Sequence, residues 1–321
     1  MDHYVKTTWL IKSIKDKKYR RQKGYKMTRI KIGVDNGNYN TKSSERMLYA
    51  SGFAMSDREF ITSDMQLFYE GAYYAIGGKR MNFQQEKTKE DDTFILTLPA
   101  IANAMKAAGT MYADILLGVG LPIDIYGAQK DAFRQYFLRD DLFFRFEEAD
   151  YHCRIEDCKV FAQGHAALCK YYQQLKEYIN ITLVDIGGYT VDVLTLYDFK
   201  VDRGSCASLR MGTITLFNDI RGELQQENII LSDALIADAM QGRIQHAEKE
   251  KIRVIIERQM QRYLKELLNA LRERGLDLKL PVVFAGGGAE LLGHRLHSRE
   301  VNTIVILDRF ANAEGYKLLL G

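Results

Sequence analysis

The sequence predicts an α/β protein of two domains, and three observations point to it. Apolar, strand-like runs alternate with helical patterns along nearly the whole chain, the arrangement that builds sheets with helices on their faces. Two glycine-bearing stretches, VDNGNYNTK at 34–42 and VDIGGYTVD at 184–192, echo one another 150 positions apart. A third, PVVFAGGGAELL at 281–292, passes from strand through triple glycine into helix.

Taken in order, IKIGVD opens the regular structure as an apolar strand, and VDNGNYNTK turns it back through glycine into a polar hairpin. MLYASGFAM and the stretch 66–77 read as further strands. Residues 91–108 carry a helical pattern, ADILLGVGLP reads as a strand, 124–138 as a helix, CKVFAQ as a strand and 162–175 as a helix. TLVDIG and TVDVLTLYDF flank the second glycine turn, and helical patterns then occupy 213–224, 232–240 and 246–274. The last of these sets Ile252, Ile256, Met260, Tyr263, Leu267 and Leu271 on one stripe, with Gly275 placed to end it. Its heptads are too few for a coiled coil, so the stripe is a core face. PVVFAGG and TIVIL supply the final strands and 309–320 the final helix. With only three prolines and no long linker, the domains would be joined by packed elements near Ile181 and Leu307, which suits a hinge.

Composition sets the outer limits. A chain of 321 residues, 46% hydrophobic and 27% charged, is long enough for two domains. No apolar run approaches the roughly 20 residues that would span a bilayer. The opening 26 residues interleave their few apolar side chains with lysines and lack a small-residue cleavage site, so no secretory signal is read there and the expected compartment is the cytoplasm. Four cysteines without a C-x-x-C pair read as free thiols. The net charge of +3 conceals an asymmetry: residues 1–26 hold nine Lys or Arg against two acids, leaving 36 basic and 40 acidic residues in the body. This basic extension is expected to be disordered, or not natively translated since Met27 would make a natural start. The alternative is a tail for nucleic acid or an anionic surface.

Competing motifs fail on particular residues. GGKR at 77–80 ends like a Walker A loop, but Tyr73 stands where its first glycine belongs and Arg80 replaces the magnesium-binding hydroxyl. GVGLP at 118–122 begins like a dinucleotide fingerprint, yet Ile123 stands where the final glycine is required. There is no G-x-S-x-G elbow. His152, Cys153 and Cys158 lack the partner pair a zinc site needs.

The two echoing stretches have the layout of phosphate-binding hairpins. Glycine lets backbone N–H groups approach an anion, while hydroxyl, amide or lysine side chains add donors. An aspartate at the strand's end can hold Mg²⁺ through water. The triple glycine gives a flat ring or ribose bare backbone to lie against at a helix start. Together they suggest an ATPase.

Between the hairpins, CKVFAQGHAAL places Gln163 at a strand–helix junction. The order of hairpin, glutamine junction, hairpin and GGG loop resembles the actin and sugar-kinase superfamily. Within it the chain is most similar to the bacterial actin-like ParM and Alp proteins that segregate plasmids. The resemblance runs from Thr28 to Gly321 through DNG at 35–37 with Lys42, GLP at 120–122, D-x-G-G-x-T-x-D at Asp185, Gly187, Gly188, Thr190 and Asp192, and the closing FANAEGYKLL from Phe310.

That resemblance implies a fold, a site and a set of partners. The fold would be the two-domain actin-like one, each domain a mixed sheet flanked by helices, with nucleotide in the cleft between: domain I over 27–180 with a small subdomain near 46–90, domain II over 181–307, and a closing helix at 308–321 returning to domain I. ATP or ADP would be held by Asn36, Gly37, Asn38 and Lys42 from one side, Gly187, Gly188, Tyr189 and Thr190 from the other, and Gly286, Gly287 and Gly288 at the purine end. Asp35 and Asp185 would hold Mg²⁺ through water, and Gln163 would orient the attacking water. Base contacts are sought around 232–238 and near Glu248. Tyr189 departs from the small hydroxyl residue of many relatives, and 46–89 has few recognisable features. The implied partners are further copies of the chain, head to tail in a filament, and a DNA-binding adaptor at a plasmid centromere-like site, without stable membrane insertion. An actin-like ATPase with another cytoskeletal or scaffolding role, or a small-molecule kinase of the same superfamily, is the alternative.

Overall fold

The structure, a computed structural model, describes residues 28–78 and 88–321. The basic extension lies outside the described residues, as do Lys79 and Arg80. Two sheets organise the chain. The first contains β1 (Thr28–Asn36), β2 (Asn40–Ser43), β3 (Leu48–Ala50), β4 (Phe53–Ser56), β5 (Gln66–Tyr69), β6 (Ala72–Ile76), β7 (Tyr112–Leu121), β8 (Arg139–Phe146) and β9 (Ala149–Ala162), in the order β3-β2-β1-β7-β9-β8-β5-β6-β4. The second contains β10 (Asn180–Ile186), β11 (Val191–Tyr197), β12 (Lys200–Leu209), β13 (Val282–Ala285) and β14 (Thr303–Ile306), in the order β12-β11-β10-β13-β14.

The two sheets share one plan. In each, an antiparallel meander of three strands (β1-β2-β3, β10-β11-β12) is followed by two strands parallel to the first, β7 and β9 in one and β13 and β14 in the other. Both sheets are therefore mixed, and the echo between the two glycine stretches is the echo of equivalent turns, β1–β2 and β10–β11. The first sheet continues through β8, β5, β6 and β4. Only Ser51 and Gly52 separate β3 at one end of the order from β4 at the other, and the three steps from Ala50 to Phe53 reach about 10 Å. The sheet must curl until its ends nearly meet.

Ten α-helices lie among the described residues: α1 (Asp92–Ile95), α2 (Leu98–Ala107), α3 (Ile123–Phe137), α4 (His165–Lys170), α5 (Tyr172–Leu175), α6 (Thr213–Gln226), α7 (Asp233–Met240), α8 (Lys249–Glu273), α9 (Gly286–Leu292) and α10 (Ala311–Leu319). Phe94 of α1 is fully buried inside the curled sheet, with the rings of Tyr69 and Phe137 at 5.9 and 6.3 Å. On β10 the alternation of a strand sends Ile181 and Leu183 into one apolar cluster with α4, and Val184 and Ile186 into another with α6 and α8. A strand covered on both faces is mostly apolar, and in NITLVDI the buried polar exceptions are Thr182 and the site residue Asp185. The α8 stripe is buried as its spacing predicts, and Gly275, at φ 80°, follows its C-cap.

Several elements differ from the sequence reading. The pattern at 91–108 breaks into α1 and α2 because Pro99, in the first turn of α2, has no N–H to donate to the Ile95 carbonyl. MLYASGFAM is two strands on opposite ends of the sheet order. β8, RDDLFFRF, and β12, KVDRGSCASL, are additional strands, since charge in one and glycine and serine in the other mask their alternation. β9 extends well upstream of CKVFAQ, burying Tyr151, Cys153 and Ile155 on one face.

Helix α10 lies against β1, β7 and α4. A Cβ on Gly33 would penetrate the Ala313 carbonyl, so β1 takes glycine where this helix crosses it. Tyr316 of α10 is fully buried, stacked on Phe161 at 5.8 Å. Among the described residues no helix is long and apolar enough to cross a membrane.

Candidate functional site

The equivalent turns bring their aspartates into one cleft. Asp35 ends β1 opposite Lys42 of β2, and Lys42 Nζ donates to Asp35 Oδ2 at 3.2 Å. Gln163, just past β9, donates from Nε2 to Asp35 Oδ1 at 3.1 Å. Both carboxylate oxygens of this buried group are thereby engaged. Asp185 ends β10 in the corresponding place and accepts from Asn312 Nδ2 at 2.9 Å. Its burial pushes the carboxyl pKa up and nearby Asp35 adds to this, while Lys42 and the Asn312 amide oppose it.

Gly286, first in α9, sits at φ 86° with Asp185 Oδ1 where its Cβ would be. Left-handed backbone and close approach both demand glycine there. The three glycine-bearing segments thus converge. A cleft of about 440 Å³ is lined by Asp35, Gly37, Asn38, Lys42 and Gln163 from the first sheet's side and by Asp185, Gly187, Gly188, Tyr189, Thr190, Gly286, Gly287 and Gly288 from the second. That size suits a cofactor-sized ligand.

Asn36 is the exception among the expected residues. It does not line the cleft; alternation along β1 turns it to the opposite face from Asp35, where its amide donates to Thr97 Oγ1 at 3.0 Å and to the Thr93 carbonyl at 3.5 Å. The turns also close on themselves. Gly37 N–H donates to the Asp35 carbonyl at 3.0 Å and Gly187 N–H to the Thr190 carbonyl at 2.9 Å, so these two glycines shape the turns with their amides already engaged.

The cleft has walls that sequence reasoning missed. Tyr39, from the first turn, crosses to stack on Phe217 of α6, with centroids at 6.3 Å and rings within 10° of parallel, and its hydroxyl donates to Asp233 Oδ2 at 3.4 Å. Farther along, α7 contributes Ala234, Ala237 and Asp238 beside Arg243 and Arg309. The stretch 232–238 therefore reaches the cleft. Glu248 does not: it caps the start of α8 and is not part of the lining. Asn312 sits within FANAEGYKLL, and its only signal was a polar residue among small apolar ones.

The second hairpin carries an unusual pair. Where the first sets Asp35 opposite Lys42, the second sets Asp185 opposite Asp192, and like charges across a ladder repel. Burial pushes the Asp192 carboxyl up to about 6, with Asp185 adding and the hydroxyls of Ser208 and Thr190 opposing. A carboxyl raised above its unfolded value near 3.9 favours the folded state only while protonated. That contribution is complete below about pH 4 and lost as pH rises through about 6. In nucleotide-free protein without divalent ions, Asp192→Asn should therefore gain stability over the parent by about 2–3 kcal/mol at pH 7.5, and by almost none at pH 4. Urea unfolding at the two pH values tests this, and an equal difference at both would refute it.

Comparisons with known proteins bear on the fold. Residues 33–165 match the family model "Actin like proteins N terminal domain", and residues 183–298 match "Archaeal actin homologue MreB-like, C-terminal". The fold is the actin-like one, and each half of it matches an actin-like family model. Solved structures share its fold. The archaeal actin homologue Ta0583, in complex with ADP, is 20% identical with a TM-score of 0.72, over 90% of this chain and 98% of that one. A 15-stranded ParM filament from Clostridium botulinum is 17% identical with a TM-score of 0.69, over 92% and 99%. Bacillus thuringiensis ParM with ATP is 13% identical with a TM-score of 0.68, over 92% and 98%. No curated protein matches the chain in sequence.

The donor set of this actin-like protein also suits a hydrated divalent cation. Asp35 and Asp185 raise the local negative charge, and Asp185 is already disfavoured as a carboxylate by burial and by Asp35. Among the described residues no group of three His, Cys, Asp or Glu could ligate a metal directly. Two carboxylates facing one cleft could hold Mg²⁺ through its retained water. All four cysteines are free, and burial pushes the thiol pKa of Cys153 and Cys158 up, which leaves them inert.

Proposed function

We propose that this actin-like protein binds ATP between its two lobes, hydrolyses it, and assembles head to tail into filaments whose stability follows the nucleotide state, in the service of segregating plasmid DNA. The observation that carries this reading is the convergence of three glycine-bearing turns and two buried aspartates on one cleft. ADP and ATP in structures of the same fold, and the filament among them, support it.

Phosphoryl transfer to water needs positioning and charge stabilisation more than covalent help. Lys42, held by Asp35, would offset the charge of the β and γ phosphates, with backbone N–H groups of Asn38 and Gly188 available beside it. Asp35 and Asp185 would hold Mg²⁺ through water, and the ion would supply neutralisation of the phosphate oxygens. Gln163 would orient the attacking water; an amide is no strong base, so the intrinsic rate should be slow. Tyr39, stacked on Phe217 across the cleft, would tie closure of the lobes to occupancy. Loss of the γ phosphate would then loosen closure and weaken subunit contacts. Such contacts must be heterologous and non-closing to give a filament. A DNA-binding adaptor and a cytoplasmic location belong to the same reading.

The test is pelleting, light scattering and electron microscopy with ATP, with ADP and without nucleotide, alongside phosphate release without added acceptor. ATP-dependent filaments with phosphate release are expected. Phosphate transfer only when a small-molecule acceptor is present would replace this reading with a kinase.

A further inference from the structure

Asn312 joins two polar groups at the edge of the cleft. It is the second residue of α10, buried, and its amide works in two directions. The Oδ1 accepts from the Gly164 N–H at 2.8 Å, and the Nδ2 donates to Asp185 Oδ2 at 2.9 Å. Gly164 directly follows Gln163, whose own amide donates to Asp35. An unbroken polar run therefore links Lys42, Asp35, Gln163, the backbone of Gly164, Asn312 and Asp185, crossing from the first sheet to the second.

The helix that carries Asn312 is fixed to the first lobe. It packs on β1 and β7, Glu314 pairs at 2.9 Å with Arg46 from the β2–β3 turn, and Lys317 pairs with Glu45 at 2.5 Å. Asp185 belongs to the second sheet. The Nδ2–Oδ2 hydrogen bond is thus a tie between lobes, made at the carboxylate itself. A rotation of the second lobe away from α10 has to stretch it.

We propose that Asn312 is a positioning residue: it keeps the Gln163 segment and the Asp185 carboxylate in fixed relation, so that Asp185 is oriented for its work only while the lobes are closed. This rests on the ATPase reading above. Asparagine fits the task because it offers an acceptor and a donor on one short, planar group. Aspartate could still accept from Gly164 but could not donate to Asp185, and alanine could do neither. Partners that orient a metal-binding carboxylate are worth about 10- to 100-fold in metal affinity or activity.

The experiment uses the whole chain with Asn312→Ala and Asn312→Asp. In nucleotide-free protein, hydrogen exchange of the peptide bearing the Gly164 amide should quicken in Asn312→Ala and stay protected in Asn312→Asp. For Asn312→Ala the affinity for ADP without Mg²⁺ should stay within about threefold of the parent, while the tightening produced by Mg²⁺ falls about 10- to 100-fold. Both variants should lose kcat for ATP, with the melting temperature falling further in Asn312→Asp, whose carboxylate is set against that of Asp185. If Asn312→Asp fails to fold, Asn312→Ala decides. Parental kcat in Asn312→Ala, with an active parent, would overturn the positioning role alone. A parent that releases no phosphate would overturn the ATPase reading instead.

Discussion

Asp185→Ala is expected to abolish Mg²⁺-dependent ATP turnover, lowering phosphate release by at least about 100-fold, the scale on which a preorganised charge-stabilising group is felt. Alanine removes the carboxylate that ends β10, leaves Asn312 Nδ2 without its acceptor, and withdraws one of the two negative groups that would attract the cation. It also removes a carboxylate that burial disfavours, so the variant should fold and its circular dichroism should match the parent. The decisive measurement pairs turnover with the melting-temperature rise caused by Mg²⁺ and ATP. Ligand stabilisation follows mass action, so the rise should shrink along with turnover. A variant that hydrolyses ATP at the parental rate would remove Asp185 from the site.

Gln163→Ala should separate binding from chemistry. The side chain reaches Asp35 Oδ1 from the junction between β9 and α4, and it contributes an amide without charge, so nucleotide affinity should change by less than about threefold. Turnover should fall by about 100-fold or more, the range seen when a group that positions a proton transfer is lost. Equilibrium binding of ADP and single-turnover hydrolysis of ATP measure the two separately. Normal hydrolysis in Gln163→Ala would take the residue out of the mechanism, whereas lost binding would make it a structural prop for Asp35.

The elements legible in the sequence were those whose physics is local. Glycine and aspartate at the end of an apolar run announce a strand and its turn, and the α8 stripe announces a buried face, without knowledge of anything distant. The site's connections are of another kind. Asn312 meets Asp185 from 127 positions away and Gln163 meets Asp35 from 128, and no periodicity encodes such pairings. Tyr39 reads as one residue of a polar turn until Phe217 is placed beneath it. Asn36 is the one residue whose place is legible locally, since period-two alternation along β1 sets it on the face opposite Asp35. β8 and β12 were hidden because their stability comes from the strands they pair with more than from their own composition.

The position of α10 has a consequence for biosynthesis. Its residues leave the ribosome after every strand of both sheets, yet they cover β1, made nearly three hundred residues earlier, at the spot where Gly33 meets the Ala313 carbonyl. Until that helix arrives, the trough beside Gly33 and the polar run through Asn312 both wait unfinished while the second lobe is being made. Domains emerging from synthesis usually fold in turn, but here the nascent N-terminal half stays incomplete until α10 has been made. A premature stop codon just ahead of Ala311 would damage the beginning of the protein as much as its end.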